Sequence, residues 1–414
     1  MSSSASPALC LVGTSNAVYR DGYAKALRES PAFSGFASFS LGTSCSALFA
    51  YRLAELDLSC FNLCLLDFTC NDTALHADGA LDLPAIESQL ESAIAEITVQ
   101  GCLPALLILP SLKALPDGGA VARAYRLVAL RCRVPFFDGY AFLAAMAGQG
   151  LTPQDQFQDD MHLHPAIACQ IGTILAGALR DIWQHRRPAG ETELTSARYR
   201  CARAAELAGG HLPLQPVSTS LLSAETLLLA GDAEIRLPMA EDEDVTAVAF
   251  NFTSSRGVLA LEGETSARLR LTSEHTHGPH IVCGVLPVRP VAPGGAGALR
   301  LHLAPDAATA PPMAALLGLI LRRPARLRIP FFYHQAPDLL TFAAPAFTAL
   351  APALQALLPG HLVRAAYLAL LHRPPDPDGQ KTAQALLTQH GLTGGLQKLL
   401  ARMLTSPEFH QRQS

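Results

Sequence analysis

Ten cysteines are scattered through the 414-residue chain without one C-x-x-C pair. The lack of such knuckles argues against a structural zinc site. Most of them, among them Cys10, Cys64, Cys102, Cys169 and Cys283, lie inside apolar runs, as buried free thiols of a reducing compartment do. The start MSSSASPALCLVGTS has neither a basic n-region nor a long apolar h-region, so no secretory signal is expected and the expected location is the cytoplasm. No apolar stretch reaches the roughly 20 residues of a membrane span. The greasiest, Met313 to Leu321, stops at Arg322 and Arg323. An excess of one charge is also missing: 31 Lys and Arg face 35 Asp and Glu, a net charge of -4, which leaves no footprint for nucleic acid. No internal repeat of fixed period is visible.

What is present is core material, since half the residues are hydrophobic. A chain of this length exceeds one hydrophobic core and implies two or three domains. In the first third, short apolar runs alternate with helix-period segments. Strands are expected at Ala8 to Val12, Gly35 to Leu41, Phe61 to Phe68, Pro104 to Pro110 and Val134 to Phe137. Helices are expected at Asn16 to Glu29, Ser44 to Leu56, Pro84 to Val99, Gly119 to Arg131 and Pro165 to Trp183. Such alternation predicts an α/β fold, a parallel sheet covered on both faces. Functional groups then belong at the carboxyl ends of the strands. From Gly190 to Leu212 a charged, helix-prone connector is expected. Period-two runs follow (VTAVAFNF, GVLALEG, ARLRLTS, HIVCGVLPV, LRLHLAP, ARLRIPFFYH), separated by turn residues, which predicts an antiparallel β-sandwich. From about Pro345 the pattern is helical again. The expected boundaries are 1–190, a connector at 191–214, a sandwich at 215–344 and a small all-α domain at 345–414.

Four segments carry groups suited to ester chemistry, which needs a nucleophile, a base, an orienting acid and donors for an oxyanion. The first strand runs into Gly13-Thr14-Ser15-Asn16, where the serine hydroxyl is presented at a helix start or simply caps it. The second ends at Ser40-Leu41-Gly42-Thr43, where Gly42 offers an unobstructed N–H or merely a turn. The third ends at Asp67-Phe68-Thr69-Cys70-Asn71-Asp72, an amide at the sheet rim or an Asx-turn. The last is Asp159-Asp160-Met161-His162-Leu163-His164-Pro165. Asp159 can reach one nitrogen of His162 there and leave the other for Ser15. His162 and His164 could instead bind a metal, but no third ligand motif accompanies them. Later histidines, His275, His277, His280 and His334, read as members of polar turns and sheet rims.

These blocks, in this order, resemble those of the SGNH (GDSL-like) hydrolase family. The H-L-x-P segment beginning at His162 is similar to that family's closing segment. The resemblance runs from about Ala8 to His185. It implies a flavodoxin-like three-layer domain with Ser15 as nucleophile, His162 as base and Asp159 as orienter. It also implies an oxyanion hole of the Ser15 N–H, the Gly42 N–H and the Asn71 side chain, and no cofactor or metal. The first block reads G-T-S-N where the family commonly has G-D-S, which argues against its standard lipase subgroup. A second resemblance, from about Gly360 to Gln411, is to the small helical domain DUF4214, through Leu371-His372-Arg373-Pro374-Pro375-Asp376-Pro377-Asp378-Gly379 and Ser406-Pro407-Glu408-Phe409. Its D-P-D-G turn lacks the acidic ladder of a calcium loop. Together these imply an esterase removing O-acyl groups, O-acetyl above all, from a carbohydrate, with a bacterial exopolysaccharide system of cellulose type and its synthesis complex as one home. An acyltransferase using the same relay and a noncatalytic glycan-binding protein are the alternatives.

Overall fold

The computed structural model describes residues 6–147, 156–210, 212–271, 281–295, 297–304, 311–333 and 337–338, isolated positions between 363 and 371, and 375–409. The histidines at 275, 277, 280 and 334 and the stretch 345–362 lie outside the described residues. In the first part, β1 (Ala8–Gly13), β2 (Gly35–Ser38), β3 (Leu63–Asp67), β4 (Leu103–Ile108) and β5 (Phe136–Asp138) form one sheet in the order β2-β1-β3-β4-β5. Every pairing in it is parallel. Its helices are α1 (Ser15–Val18), α2 (Tyr23–Glu29), α3 (Leu48–Arg52), α4 (Thr69–Ala77), α5 (Leu83–Val99), α6 (Gly119–Cys132), α7 (Gly139–Ala147) and α8 (Pro165–His185).

Successive strand residues serve opposite faces. Cys10, Val12, Cys64 and Leu66 join the core under α3, α5 and α6, whereas Leu9, Leu11, Leu63 and Leu65 join the one under α2, α7 and α8. Both faces are therefore apolar, and the strands read as continuous hydrophobic runs. This is the expected flavodoxin-like three-layer arrangement, with the order 2-1-3-4-5 placing the switch point beside β1.

Two helices are shorter than their periodicity suggests. The segment Asn16 to Glu29 breaks between α1 and α2, where Gly22 is extended and caps α2. The segment Ser44 to Leu56 is helical only over α3, because Thr43 takes a left-handed φ of 52° and the residues after it bond to other parts of the chain.

The antiparallel part consists of β6 (Gly190–Arg203), β7 (Leu214–Ser218), β8 (Ser223–Ala230), β9 (Glu234–Pro238), β10 (Asp244–Asn251), β11 (Gly257–Glu262), β12 (Ser266–Leu271), β13 (Cys283–Val291), β14 (Ala298–Ala304) and β15 (Met313–Phe331). One sheet runs β13-β10-β15-β8-β7, with β6 paired to β15, and the other runs β12-β11-β14-β9. They face each other across a core containing Val248, Phe250, Leu259, Leu301 and Leu319.

The larger sheet is apolar on its second face as well. Ala197, Tyr199, Ala247, Ala249, Leu317 and Ile320 belong to the same core as α5 and the parallel sheet. The greasy run Met313 to Leu321 is thus a central strand buried on both faces, which explains its lack of alternation.

The expected connector is the main departure. Residues 190–203 form β6, paired with β15 over fourteen consecutive positions, and only α9 (Ala204–Ala208) is helical. Arg and Ala favour helix as isolated residues, but Leu194 and then every second side chain from Ala197 through Tyr199 to Cys201 packs inward; their burial overrides propensity. After β15 the chain returns to the first sheet, where the Phe136 N–H donates to the Pro337 carbonyl at 3.2 Å. A final helical segment, Pro377–Leu404, is two helices that meet at a kink at Gly391, where φ is 72°; its start is capped by Asp376, whose carboxylate accepts the Gly379 N–H. It builds a small core of its own with Val363, Ala366 and Leu371. The D-P-D-G turn is therefore a helix start.

Candidate active site

Gly13 ends β1 opposite Asp67. A Cβ on it would lie 2.8 Å from the Ala17 Cβ, so the chain can turn this tightly only at glycine. The Thr14 N–H donates to the Asp67 carbonyl at 3.0 Å, and Ser15 opens α1 at the rim of the sheet. Ser15 Oγ lies 2.9 Å from His162 Nε2. On the other side of the ring, Nδ1 is 2.9 Å from both oxygens of Asp159. An ionised carboxylate only accepts, so Nδ1 carries the proton toward Asp159 and Nε2 is left to accept from the serine hydroxyl.

The three-residue spacing closes a tight turn. Asp159 Oδ1 also accepts the N–H groups of Met161 and His162, at 2.8 and 2.9 Å, while the Gln158 N–H donates to the His162 carbonyl. Asn16 Nδ2 donates to the Met161 carbonyl at 3.2 Å and ties this turn to the one bearing the nucleophile. Tyr19 lays its ring 4.7 Å from that of His162. Partial burial pushes the Asp159 carboxyl up, but the Met161 N–H and the His162 ring outweigh it and hold it below the usual carboxylate range.

The other predicted residues separate. Gly42 lines the cleft beside Ser15. Asn71 sits in the first turn of α4, immediately after β3; its Oδ1 is buried with no partner, and it is not among the residues lining the cleft. The neighbouring Asp72 is fully buried and anchors loops. It accepts the Tyr125 hydroxyl at 2.6 Å and the Ser46 N–H at 3.0 Å, and burial still pushes its carboxyl up to about 6. His164 caps α8 by accepting the Ala166 N–H on Nδ1 and so faces its own helix.

Two features had no signal in the sequence. Asp67, at the end of β3, is completely buried and accepts the Tyr23 hydroxyl; burial pushes its carboxyl up to about 7. The second is the far wall of the cleft. This cleft of about 640 Å³ is bounded on one side by Ser15, Tyr19, Gly42 and His162, and on the other by the β7–β8 turn and the start of β13, including Thr219 and Val282. A period-two pattern announces strands, but it does not say where their turns come to rest.

Neither a protein-family model nor any curated protein matches the chain. Among solved structures it is similar to CEX, a two-domain esterase active on acetylated mannans, at 13% identity and a TM-score of 0.52, covering 76% of this chain and 91% of that one. The structure of CEX co-crystallized with mannopentaose gives 12% identity and 0.51, over 76% and 90% of the two chains. The shared property is the fold. A catalytic mutant of Axe2, an acetylxylan esterase from Geobacillus stearothermophilus, matches 42% of this chain and 93% of its own at 14% identity and a TM-score of 0.35.

Proposed function

We propose that the chain is a serine esterase that removes O-acetyl groups from a carbohydrate by way of an acyl-enzyme on Ser15. The observation that carries this reading is the unbroken line from Ser15 Oγ through His162 to Asp159, with both contacts at 2.9 Å. In the first step His162 takes the serine proton as Oγ attacks the ester carbonyl, and Asp159 stabilises the imidazolium. The backbone N–H groups of Ser15 and Gly42 receive the oxyanion, with the Asn71 amide as third donor once substrate is seated. His162 returns the proton to the leaving sugar oxygen. It then activates water against the acyl-enzyme, and acetate departs.

Two observations favour a carbohydrate substrate. The cleft is far larger than an acetyl group needs, and hydroxyl side chains of the β7–β8 turn, Ser218, Thr219 and Ser220, line its far wall. The two-domain esterase of like fold acts on acetylated mannans, which supports an acetylated polysaccharide here.

Within this reading the chain divides into a hydrolase part to about residue 190, the sandwich, and a helical module of the DUF4214 kind that serves placement, in a cytoplasmic exopolysaccharide system. All ten cysteines are free, which is consistent with that location. Among the described residues no helix is long and apolar enough to cross a membrane. The test is acetate release from acetylated manno-, xylo- and cello-oligosaccharides. Turnover by the wild type that disappears in Ser15→Ala supports the proposal, and release that persists in Ser15→Ala overturns it.

A further inference from the structure

Outside the relay, the start of β13 packs directly against the loop that bears Gly42. Gly284 lies against the backbone of Thr43 so closely that a Cβ at 284 would collide with the Thr43 carbonyl oxygen and approach its carbonyl carbon to 3.0 Å. One residue on, Val285 bonds the same loop twice: its N–H donates to Ser44 Oγ at 3.1 Å and its carbonyl accepts the Cys45 N–H at 3.3 Å. Ser44 Oγ in turn donates to the Gly42 carbonyl at 3.2 Å. A continuous chain of hydrogen bonds therefore runs from the Val285 N–H through the Ser44 hydroxyl to the peptide that follows Gly42. On the other flank, the Leu41 N–H donates to the Gly13 carbonyl at 3.0 Å.

Between these two anchors, Thr43 is held at a φ of 52°, a region that a β-branched residue enters only when its surroundings force it. A second clamp runs parallel to the first. The buried Arg52 donates through Nε to the Phe39 carbonyl, just upstream of the loop, and through Nη2 to the Leu221 carbonyl in the β7–β8 turn.

We infer that the sandwich is part of the catalytic apparatus: β13, through Gly284 and the Val285–Ser44–Gly42 hydrogen-bond chain, sets the orientation of the Gly42 N–H as an oxyanion donor. Gly284 and Ser44 are positioning residues in this scheme, because neither touches substrate. The inference rests on the esterase reading. It explains why a strained threonine sits beside the donor, and why glycine occupies a strand position where it would otherwise weaken the sheet. Donors fixed before substrate arrives need no reorganisation in the transition state, which is where such groups contribute most.

The test uses the full chain and p-nitrophenyl acetate, with Gly284→Ala and Ser44→Ala compared with wild type. The added methyl should displace Thr43 and turn Gly42, lowering kcat by up to roughly 100- to 1,000-fold, the scale of a lost oxyanion donor. KM should stay within about two-fold, as expected when only a transition-state contact is lost. Phosphonylation of Ser15 by a fluorophosphonate should slow by the same factor, since its P=O uses the same donors. The pH profile should not move, because the His162 relay is untouched. Ser44→Ala adds no bulk; the loss of its two hydrogen bonds should cost roughly 3- to 10-fold in kcat.

Circular dichroism reports folding of each variant. If Gly284→Ala does not fold, Ser44→Ala decides alone. Folded variants with wild-type kcat, or losses that appear in KM or as a shifted pH profile, would overturn the inference while the esterase reading stands. Wild-type protein that turns over no ester would overturn both.

Discussion

The two loops that flank Ser15 are held in opposite ways. The relay turn is held largely from within: Asp159 binds the ring and two backbone N–H groups of its own next few residues, and Asn16 adds a tie to the nucleophile turn. The loop carrying Gly42 is fixed by strangers, with Ser44 bonded to a residue 241 positions away and Ser46 to Asp72. The first can be encoded by a short motif and moved between proteins intact. The second takes part of its support from the sandwich. A site of this kind can keep its catalytic motif and still depend for its rate on a domain that supplies none of the reacting groups.

The largest effect expected from breaking either side is at the relay. Ser15→Ala should reduce ester turnover by roughly four to six orders of magnitude while the thermal transition barely moves. Asp159→Asn should follow at roughly 10²- to 10⁴-fold, again with little loss of stability, because the side chain is half exposed and its bonds are local.

On the other side of the comparison, a chain ended near His185 should aggregate. It would expose the face of α5 that now packs on β6 and β15, and each large apolar side chain uncovered costs about 1.5–3 kcal/mol. A soluble, monomeric truncation with wild-type kcat on p-nitrophenyl acetate would show that the Gly42 loop stands without the sandwich.

This contrast also sets what could be read from sequence. The five strands of the parallel sheet, Ser15, Asp159 and His162 were legible because each rests on neighbours in sequence: a strand's own apolar run, a glycine before a helix start, a D-x-x-H turn. The strand β6 was not legible, since its inward residues are spaced among arginines whose intrinsic preference is helical, and its partner β15 begins more than a hundred residues later. The Gly284 contact was equally hidden, for a glycine in a strand announces close approach but not to what. Asn71 lies between the two cases: its place after β3 was legible, whereas its position outside the cleft lining was not.

A smaller effect separates the two aspartates at this rim. Burial raises the Asp67 carboxyl from 3.8 to about 7, so the folded state holds that proton more tightly than the unfolded chain. Its contribution to stability is complete below about pH 4 and fades as pH rises through about 7. Asp67→Asn keeps an acceptor for Tyr23 and removes the titration. It should therefore flatten the decline of Tm between about pH 5 and 8 by a few degrees. Asp159, held low by its partners, should show no such decline in this range. An unchanged Tm profile in Asp67→Asn would mean that Asp67 does not titrate there.

The central claim, that Ser15 is an activated nucleophile, is tested most directly by fluorophosphonate labelling followed by peptide mass spectrometry. The expected result is one phosphonyl group per wild-type chain, located on Ser15, absent in Ser15→Ala and formed far more slowly in His162→Ala. An unlabelled wild type, a label on another residue, or undiminished labelling in His162→Ala would contradict it.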